Sequence, residues 1–230
     1  EVVHLTRNRN SKSGVKTYEW DWKKGTIDLK CFEEVTHIIH LAGAGIADRA
    51  WTTERKRFLI RSRVHTTRLL FKHIEALDKL ESFISASGIG YYGAITTKEI
   101  FTASSQPHDD FIAKCCIQWE NAADLFTPYG RVVKLRTGIV LDKNKGAIPK
   151  MSTSIKMGLG APLGNGKQYM PWIHIDDIAN LYIYALTSEM NGVYNAVSSQ
   201  HVTNKELTQE IANQFNKKIR LKKIPSLILK

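Results

Sequence analysis

Four hydroxyls stand close together where the chain turns: Ser85 and Ser87 close an apolar run that begins at Ser82, and Tyr91 and Tyr92 follow in a turn punctuated by Gly88, Gly90 and Gly93. A serine or a phenol can donate a hydrogen bond to a carbonyl oxygen as that oxygen gains charge. A tyrosine with no cation beside it keeps a pKa of about 10 and is a poor base at neutral pH. Ser87, Tyr91 and Tyr92 are therefore candidate catalytic donors, and reduction should outrun oxidation near neutrality. Thr6-Arg7 ends another short apolar run, with no carboxylate between Arg7 and Glu19; an Arg at a strand end suits a phosphate, where a carboxylate would suit a sugar hydroxyl. His174 is an alternative acid, although a histidine inside an apolar run is more often a core hydrogen-bonding residue, and Asp176 or Asp177 reads as a helix cap. Cys31, Cys115 and Cys116 lack the spacing and the further ligands of a zinc site, so no metal is expected. They read as small buried hydrophobes in a reducing compartment, the cytoplasm.

Such side chains need rigid elements behind them. Residues 2–6 and 17–22 read as short strands, and 35–42 as a third whose Ile38, Ile39 and Leu41 form the apolar run of a strand buried on both faces. Ile60, Val64, Thr67, Phe71 and Ile74 recur at steps of four and three, one face of a helix. Residues 82–87 form the next strand, Ile112, Cys116, Trp119, Ala123 and Phe126 a second helical stripe, and 131–136 a further strand. This alternation predicts an α/β fold, a doubly wound, Rossmann-like parallel sheet with helices on both faces. Ligands of such a sheet bind at the carboxyl ends of its strands, which puts Leu41-Ala42-Gly43 at the binding edge, where small residues let a ligand approach the backbone. From Asp142 to Pro171 the pattern dissolves into Gly, Lys, Pro and Met, an excursion into a smaller C-terminal substrate lobe. Its residues 158–170, with Lys167, Gln168 and Tyr169, are expected to line the substrate cleft. Asp176-Asp177 opens a helix carrying Ile178, Leu181, Tyr182 and Ala185, and Thr203 with Glu206 forms a capping box stapled by Val202 and Leu207. The expected division is 1–141 with 172–198 for the sheet domain, and 142–171 with 199–230 for the lobe.

Hydrophobic residues make up 43% of the 230 and charged residues 24%, ordinary for a globular protein. No apolar run approaches the roughly 18 residues that span a bilayer, and no basic-then-apolar segment opens the chain, so no membrane partner is expected. The formal charge of +11 is unusual, with Arg55, Lys56, Arg57, Arg61 and Arg63 in one segment and Lys217, Lys218, Arg220, Lys222 and Lys223 near the end. Clustered cations can neutralise nucleic-acid phosphates. Solvated helix faces with one or two cations kept for a cofactor phosphate account for them better, and no nucleic-acid partner is expected.

Trp172-Ile173-His174-Ile175-Asp176-Asp177 comes after Gly158-Leu159-Gly160-Ala161-Pro162-Leu163-Gly164-Asn165-Gly166, and both come after Ser85-Ala86-Ser87-Gly88-Ile89-Gly90-Tyr91-Tyr92-Gly93. Taken with His40-Leu41-Ala42-Gly43, Trp119-Glu120, Leu135-Arg136-Thr137-Gly138 and Asn195-Ala196-Val197-Ser198, this order resembles the atypical, epimerase-like branch of the extended short-chain dehydrogenase/reductases, in the NAD-dependent epimerase/dehydratase superfamily. The resemblance covers nearly the whole chain. It implies an NADP cofactor held by Thr6, Arg7, Leu41, Ala42, Gly43, Arg63 and Ser85. It also implies a substrate-binding hydroxyl at Ser87, although counting back from Tyr92 puts Gly88 at that place.

The chain departs from the family pattern twice. Most such reductases use a Tyr and a Lys four residues later, the ammonium lowering the phenol pKa; none of the eight tyrosines here has that partner, and aligning on Glu120 puts Ile112 and Cys116 at the two positions. A glycine-rich phosphate turn is also missing, since Gly43-Ala44-Gly45 lacks a third glycine and Gly158-Leu159-Gly160 follows no strand. Residue 1 resembles the start of the second strand of the fold, and further lobe structure is implied beyond Lys230. The expectation is a piece of a longer protein, or else one that lost its phosphate loop. The expected function is an NADP-dependent oxidoreductase or epimerase-like enzyme acting on a small polar molecule, with a homodimer as the assembly considered. The alternative is an NADP-binding scaffold or sensor without turnover.

Overall fold

A computed structural model describes residues 1–7, 14–157 and 160–219. Gly158 and Leu159 of the glycine-rich stretch, and Arg220, Lys222 and Lys223 of the basic end, lie outside the described residues. The elements in chain order are β1 (Val3–Thr6), β2 (Lys16–Asp21), β3 (Thr26–Ile27), β4 (His37–His40), α1 (Thr53–Lys72), β5 (Ser82–Gly88), α2 (Phe111–Ala123), β6 (Arg131–Thr137), β7 (Ile139–Leu141), α3 (Ala147–Lys156), β8 (Trp172–His174), α4 (Ile175–Thr187), β9 (Gly192–Ala196) and α5 (Asn204–Gln214).

The central sheet has the order β4-β5-β6-β9 and every pairing in it is parallel. Parallel neighbours need a crossover, and α1, α2 and α4 provide the three. Successive side chains of β5 point to opposite faces, so Phe83 and Ile84 fall into different cores. Phe83 joins Leu69 and Leu70 of α1, Ala123 of α2 and Phe126, with which it stacks at 3.9 Å. Ile84 joins Ile178 and Ala185 of α4 on the other face. This is the doubly wound, Rossmann-like arrangement read from the alternation of elements. β1 and β2 form a second parallel pair, with β3 antiparallel to β2, and β7 pairs in parallel with β8.

Three local expectations are corrected. The strand 35–42 was expected to be buried on both faces, yet Ile39 and Leu41 are 40% and 60% exposed; Ile38 and Ala42 pack on the first core, while α4 packs on β5 instead of covering β4. Residues 142–171 are not wholly irregular, because α3 lies within them and packs Ile155 against Leu207 and Ile211 of α5. Finally, the cap of α4 is His174, not Asp176 or Asp177. Its Nδ1 accepts the Asp176 amide at 3.3 Å, and the two aspartates occupy the first turn, where the helix dipole favours negative charge. The Thr203–Glu206 capping box at α5 is present in both directions. No described helix is long and apolar enough to cross a membrane.

Candidate functional site

The carboxyl end of β5 and the turn after it are tied to α2, β6 and β9 by one buried polar network. Arg136 of β6 is 3% exposed. Its Nε donates to Glu120 Oε1 and its Nη2 to Glu120 Oε2, both at 2.8 Å, a two-pronged pair that suits the planar guanidinium. Its Nη1 donates to the Tyr92 hydroxyl at 2.9 Å and to the Ala103 carbonyl at 3.1 Å. Burial pulls the Arg136 pKa down, but the bonds to Glu120 and Tyr92 outweigh it and leave the value raised. Ser87 donates its hydroxyl to Glu120 Oε1 at 2.6 Å.

Hydrogen-bond inventory separates the candidate donors. The Tyr92 hydroxyl accepts from Arg136 and directs its one proton to Asn195 Oδ1 at 2.6 Å and the Thr102 carbonyl at 2.8 Å. Asn195 is held in turn by its donation to Phe101 O at 3.1 Å, and Phe101 stacks on the Tyr92 ring at 5.0 Å. Tyr92 and the Ser87 proton are thus committed within the protein. The Tyr91 ring lies on Arg136, with 3.3 Å from Cζ to the ring centroid, and its residue is half-buried, so contrary to the expectation both tyrosines of the turn have a cation beside them.

The family's usual acid and base positions are filled by apolar packing. Ile112, Cys116 and Trp119 share one face of α2, and that face rests on the turn at residues 88–90. The Cys116 sulfur would be 3.7 Å from a Cβ at Gly88, and a Cβ at Gly90 would collide with Ile112 Cγ2, so Gly90 must lack one. Burial pushes the Cys116 thiol up to about 12 and that of Cys115 above its ordinary value. Lys114 points away and pairs with Asp109 at 2.8 Å. Asp110 caps α2 through Ala113 N at 2.9 Å and also accepts Ala94 N at 2.8 Å, which fixes the far side of the turn.

A second buried guanidinium lies at the end of β4. Arg63 of α1 donates from Nη1 to Leu59 O and from Nη2 to Ala44 O, each at 3.0 Å, and covers the Trp119 ring at 4.9 Å. A Cβ on Gly43 would sit 3.2 Å from its Cγ and Cζ, so the glycine lets the strand end lie directly on the side chain. Ala44 N donates to Ser62 Oγ at 3.0 Å, which holds this segment against α1. His40 is fully buried beneath it, with Nε2 3.0 Å from Thr66 Oγ1 and Nδ1 without a partner. Burial, and then the nearby Arg63 charge, lower its pKa to about 4.

The remaining expected residues fall in three places. Thr6 closes β1 and Arg7 follows it, exposed. Ser85 is buried in mid-sheet, opposite His40 and Lys134, and its hydroxyl donates to the Ala86 carbonyl at 2.9 Å. Lys167, Gln168 and Tyr169 belong to a loop fastened to the start of α5: Asn204 N donates to Gln168 O at 2.8 Å, Gln168 Nε2 to Leu163 O at 3.0 Å, and Tyr169 bridges to Thr203. Among the described residues no hydrogen bond joins this loop to the Glu120–Arg136 network. The expected set omitted Glu120, Arg136 and Asn195. Their signal was present: a charge between Leu135 and Thr137 in an apolar strand, and another beside Trp119 in an apolar helical stripe, each need a buried partner.

Over residues 1–196 the chain matches the profile described as NAD dependent epimerase/dehydratase family. Epimerase family protein SDR39U1 of Mus musculus is 37% identical over 179 residues, 76% of this chain and 61% of that protein. Epimerase family protein ML0860 of Mycobacterium leprae is 30% identical over 212 residues, 91% of this chain and 68% of its own length. The chain therefore spans about two thirds of the length of these relatives. Among solved structures, human epimerase family protein SDR39U1 (isoform 2) with NADPH superposes with a TM-score of 0.80 at 28% identity, covering 98% of this chain and 75% of that one. UDP-glucuronic acid 4-epimerase from Bacillus cereus in complex with NAD, at 16% identity and a TM-score of 0.75 over 93% of this chain and 70% of that one, shares the fold alone. With the profile match extending from the first strand through β9, the chain belongs to the NAD dependent epimerase/dehydratase family.

Proposed function

We propose that this protein is an NADP-dependent oxidoreductase or epimerase-like enzyme acting on a small polar molecule. The observation that carries the reading is the set of groups at the carboxyl ends of its strands: Arg7 after β1, Leu41-Ala42-Gly43 over Arg63 after β4, Ser87 near the end of β5 and Tyr91 after it. Arg7 takes the 2′-phosphate. Tyr91, with its hydroxyl outside the internal network, donates to the substrate carbonyl, while Ser87 and Tyr92 fix the turn that carries it. The NADPH in the human relative's structure supports this choice of cofactor. Lys167, Gln168 and Tyr169 contribute to the substrate side in this reading. The partners are the cofactor and one small molecule, with a homodimer as the assembly and neither nucleic acid nor membrane. The free cysteines suit a reducing compartment such as the cytoplasm, although one Arabidopsis thaliana relative is described as chloroplastic.

The test is a titration with NADPH and NADH. NADPH should bind more tightly by about one to two decades, the worth of one charged hydrogen bond, and Arg7→Ala should erase the difference. Equal affinities in the unaltered protein overturn the reading. With a panel of carbonyl compounds, Tyr91→Phe should lower turnover without changing NADPH affinity.

A second reading, an NADP-binding scaffold or sensor without turnover, is favoured by Ile112 and Cys116 filling the usual acid and base positions. Tight NADPH binding with no hydride exchange to any carbonyl compound would select it.

A further inference from the structure

The outward line of α1 is basic almost from end to end. Past Glu54 in its first turn, the exposed residues of the helix are Arg57, Arg61, His65, Arg68 and Lys72, at steps of four, four, three and four. Such steps keep side chains on one face, and at 1.5 Å per residue the line is about 22 Å long. α5, by contrast, sets Glu206 and Glu210 beside its exposed Lys205. Among the described residues, none of the four α1 cations has a carboxylate within 4.0 Å, whereas Lys79 and Lys114 elsewhere on the surface are paired with Glu81 and Asp109. Like charges one turn apart, Arg57 with Arg61 and Arg68 with Lys72, work against the helix. Their field reaches the imidazole between them: after burial, the charges of Arg61 and Arg68 hold the His65 pKa below its ordinary value.

The turn after β2 widens this patch. Asp21 spends its Oδ1 on the Lys23 and Lys24 amides, at 2.8 and 3.4 Å, and among the described residues neither exposed ammonium has an ion pair. Trp22 meets the His65 ring edge-on at 6.1 Å and the Lys23 ammonium lies 5.3 Å from the Phe58 ring centroid, so the turn rests directly against the line.

The character of the face selects its partner. A second copy of the chain would bring the same cations face to face. A membrane-surface helix needs apolar side chains to insert beside its cations, and the line has none. Single-stranded nucleic acid stacks its bases on open aromatic rings, but Trp22 and Phe58 are half-buried against each other at 5.7 Å, and Lys23 and Arg55 lie over Phe58. A duplex backbone winds about its axis and leaves a straight row after a few phosphates. A chain of carboxylates can follow the row along its whole length. We propose that the line from Arg57 to Lys72, with Lys23 and Lys24 beside it, is a docking face for an acidic segment of another protein. This assignment does not depend on the cofactor reading above.

The experiment uses the full chain at low salt, where exposed charges are least screened, and three probes. They are a peptide of about ten glutamates, long enough when extended to cover the line, a DNA duplex, and vesicles containing phosphatidylserine. Arg61→Glu with Arg68→Glu should weaken peptide binding by about tenfold or more, the scale of a few exposed ion pairs lost. Lys79→Glu with Lys114→Glu makes the same change in net charge away from α1 and should cost far less. If the first pair does not fold, Arg61→Gln with Arg68→Gln carries the same comparison. No binding of the peptide, an equal loss in the two paired variants, or tighter binding to the duplex or the vesicles than to the peptide overturns the proposal.

Discussion

Trp119 and Glu120 are neighbours on α2, and each meets a buried arginine, but the two corners they build are opposites. On the Glu120 side, Arg136 has a two-pronged carboxylate, a phenol and a carbonyl, and its pKa is raised despite burial. On the Trp119 side, Arg63 has an indole face and two carbonyls, and burial, only partly offset by the two thiols, lowers its pKa. A bidentate pair in a dry corner fixes geometry, which is what a turn carrying Ser87 and Tyr91 needs. A cation with spare donors fixes little by itself, and it suits a place where a ligand arrives. The difference teaches that burial of a charge alone says nothing of its role. What decides is whether the protein has already supplied the opposite charge.

Removing Glu120 should have the largest effect. Glu120→Ala strands the Arg136 charge in the interior and takes the acceptor from Ser87, and loss of one partner of a buried pair costs about 3–5 kcal/mol. Urea denaturation measures it. A loss below about 1 kcal/mol, the range of exposed pairs, would mean that Arg136 is hydrated or repartnered, and the two corners would then be alike.

The Arg63 corner should respond to pH. His40 lies in it, fully buried, and its pKa falls from 6.5 to about 4. Between those values the unfolded chain binds a proton at this position that the folded chain refuses, so stability falls as pH drops through the window and does not depend on His40 above it. At about 1.4 kcal/mol per pH unit the full loss is about 3 kcal/mol. His40→Gln should flatten that part of the curve of stability against pH, and an identical slope in the variant would show that His40 is protonated or solvated in the fold.

The sequence made one of these corners easier to foresee than the other. Alternating strands and helical stripes located the sheet, because burial imposes its period on Phe83, Ile84 and the leucines of α1 whatever the chemistry. Arg63 was readable through the resemblance, as a single position facing a ligand. The Arg136 network was not, because its members lie at residues 87, 92, 120, 136 and 195 and meet only when β5, β6 and β9 pair in register. Periodicity reports which face a residue occupies and is silent about which distant charge stands opposite. The His174 cap escaped for a related reason: an apolar run ending in His-Ile-Asp-Asp reads as strand then acidic cap. The imidazole Nδ1 serves as acceptor one position earlier than the aspartates.

The smallest expected effect gives the sharpest contrast. Arg63→Met keeps a long flexible chain against Trp119 and removes a charge that no carboxylate compensates, and an apolar replacement of a buried charge is often neutral or stabilising. The Leu59 carbonyl retains its helical bond, so the main loss is the partner of Ala44 O, about 1 kcal/mol. Stability in urea should therefore change by no more than about that amount, while Glu120→Ala moves it several times further. If Arg63→Met destabilises as strongly as Glu120→Ala, the protein itself compensates Arg63 as fully as it does Arg136. The case for a cation held open for a ligand then fails on stability alone, before any ligand is added.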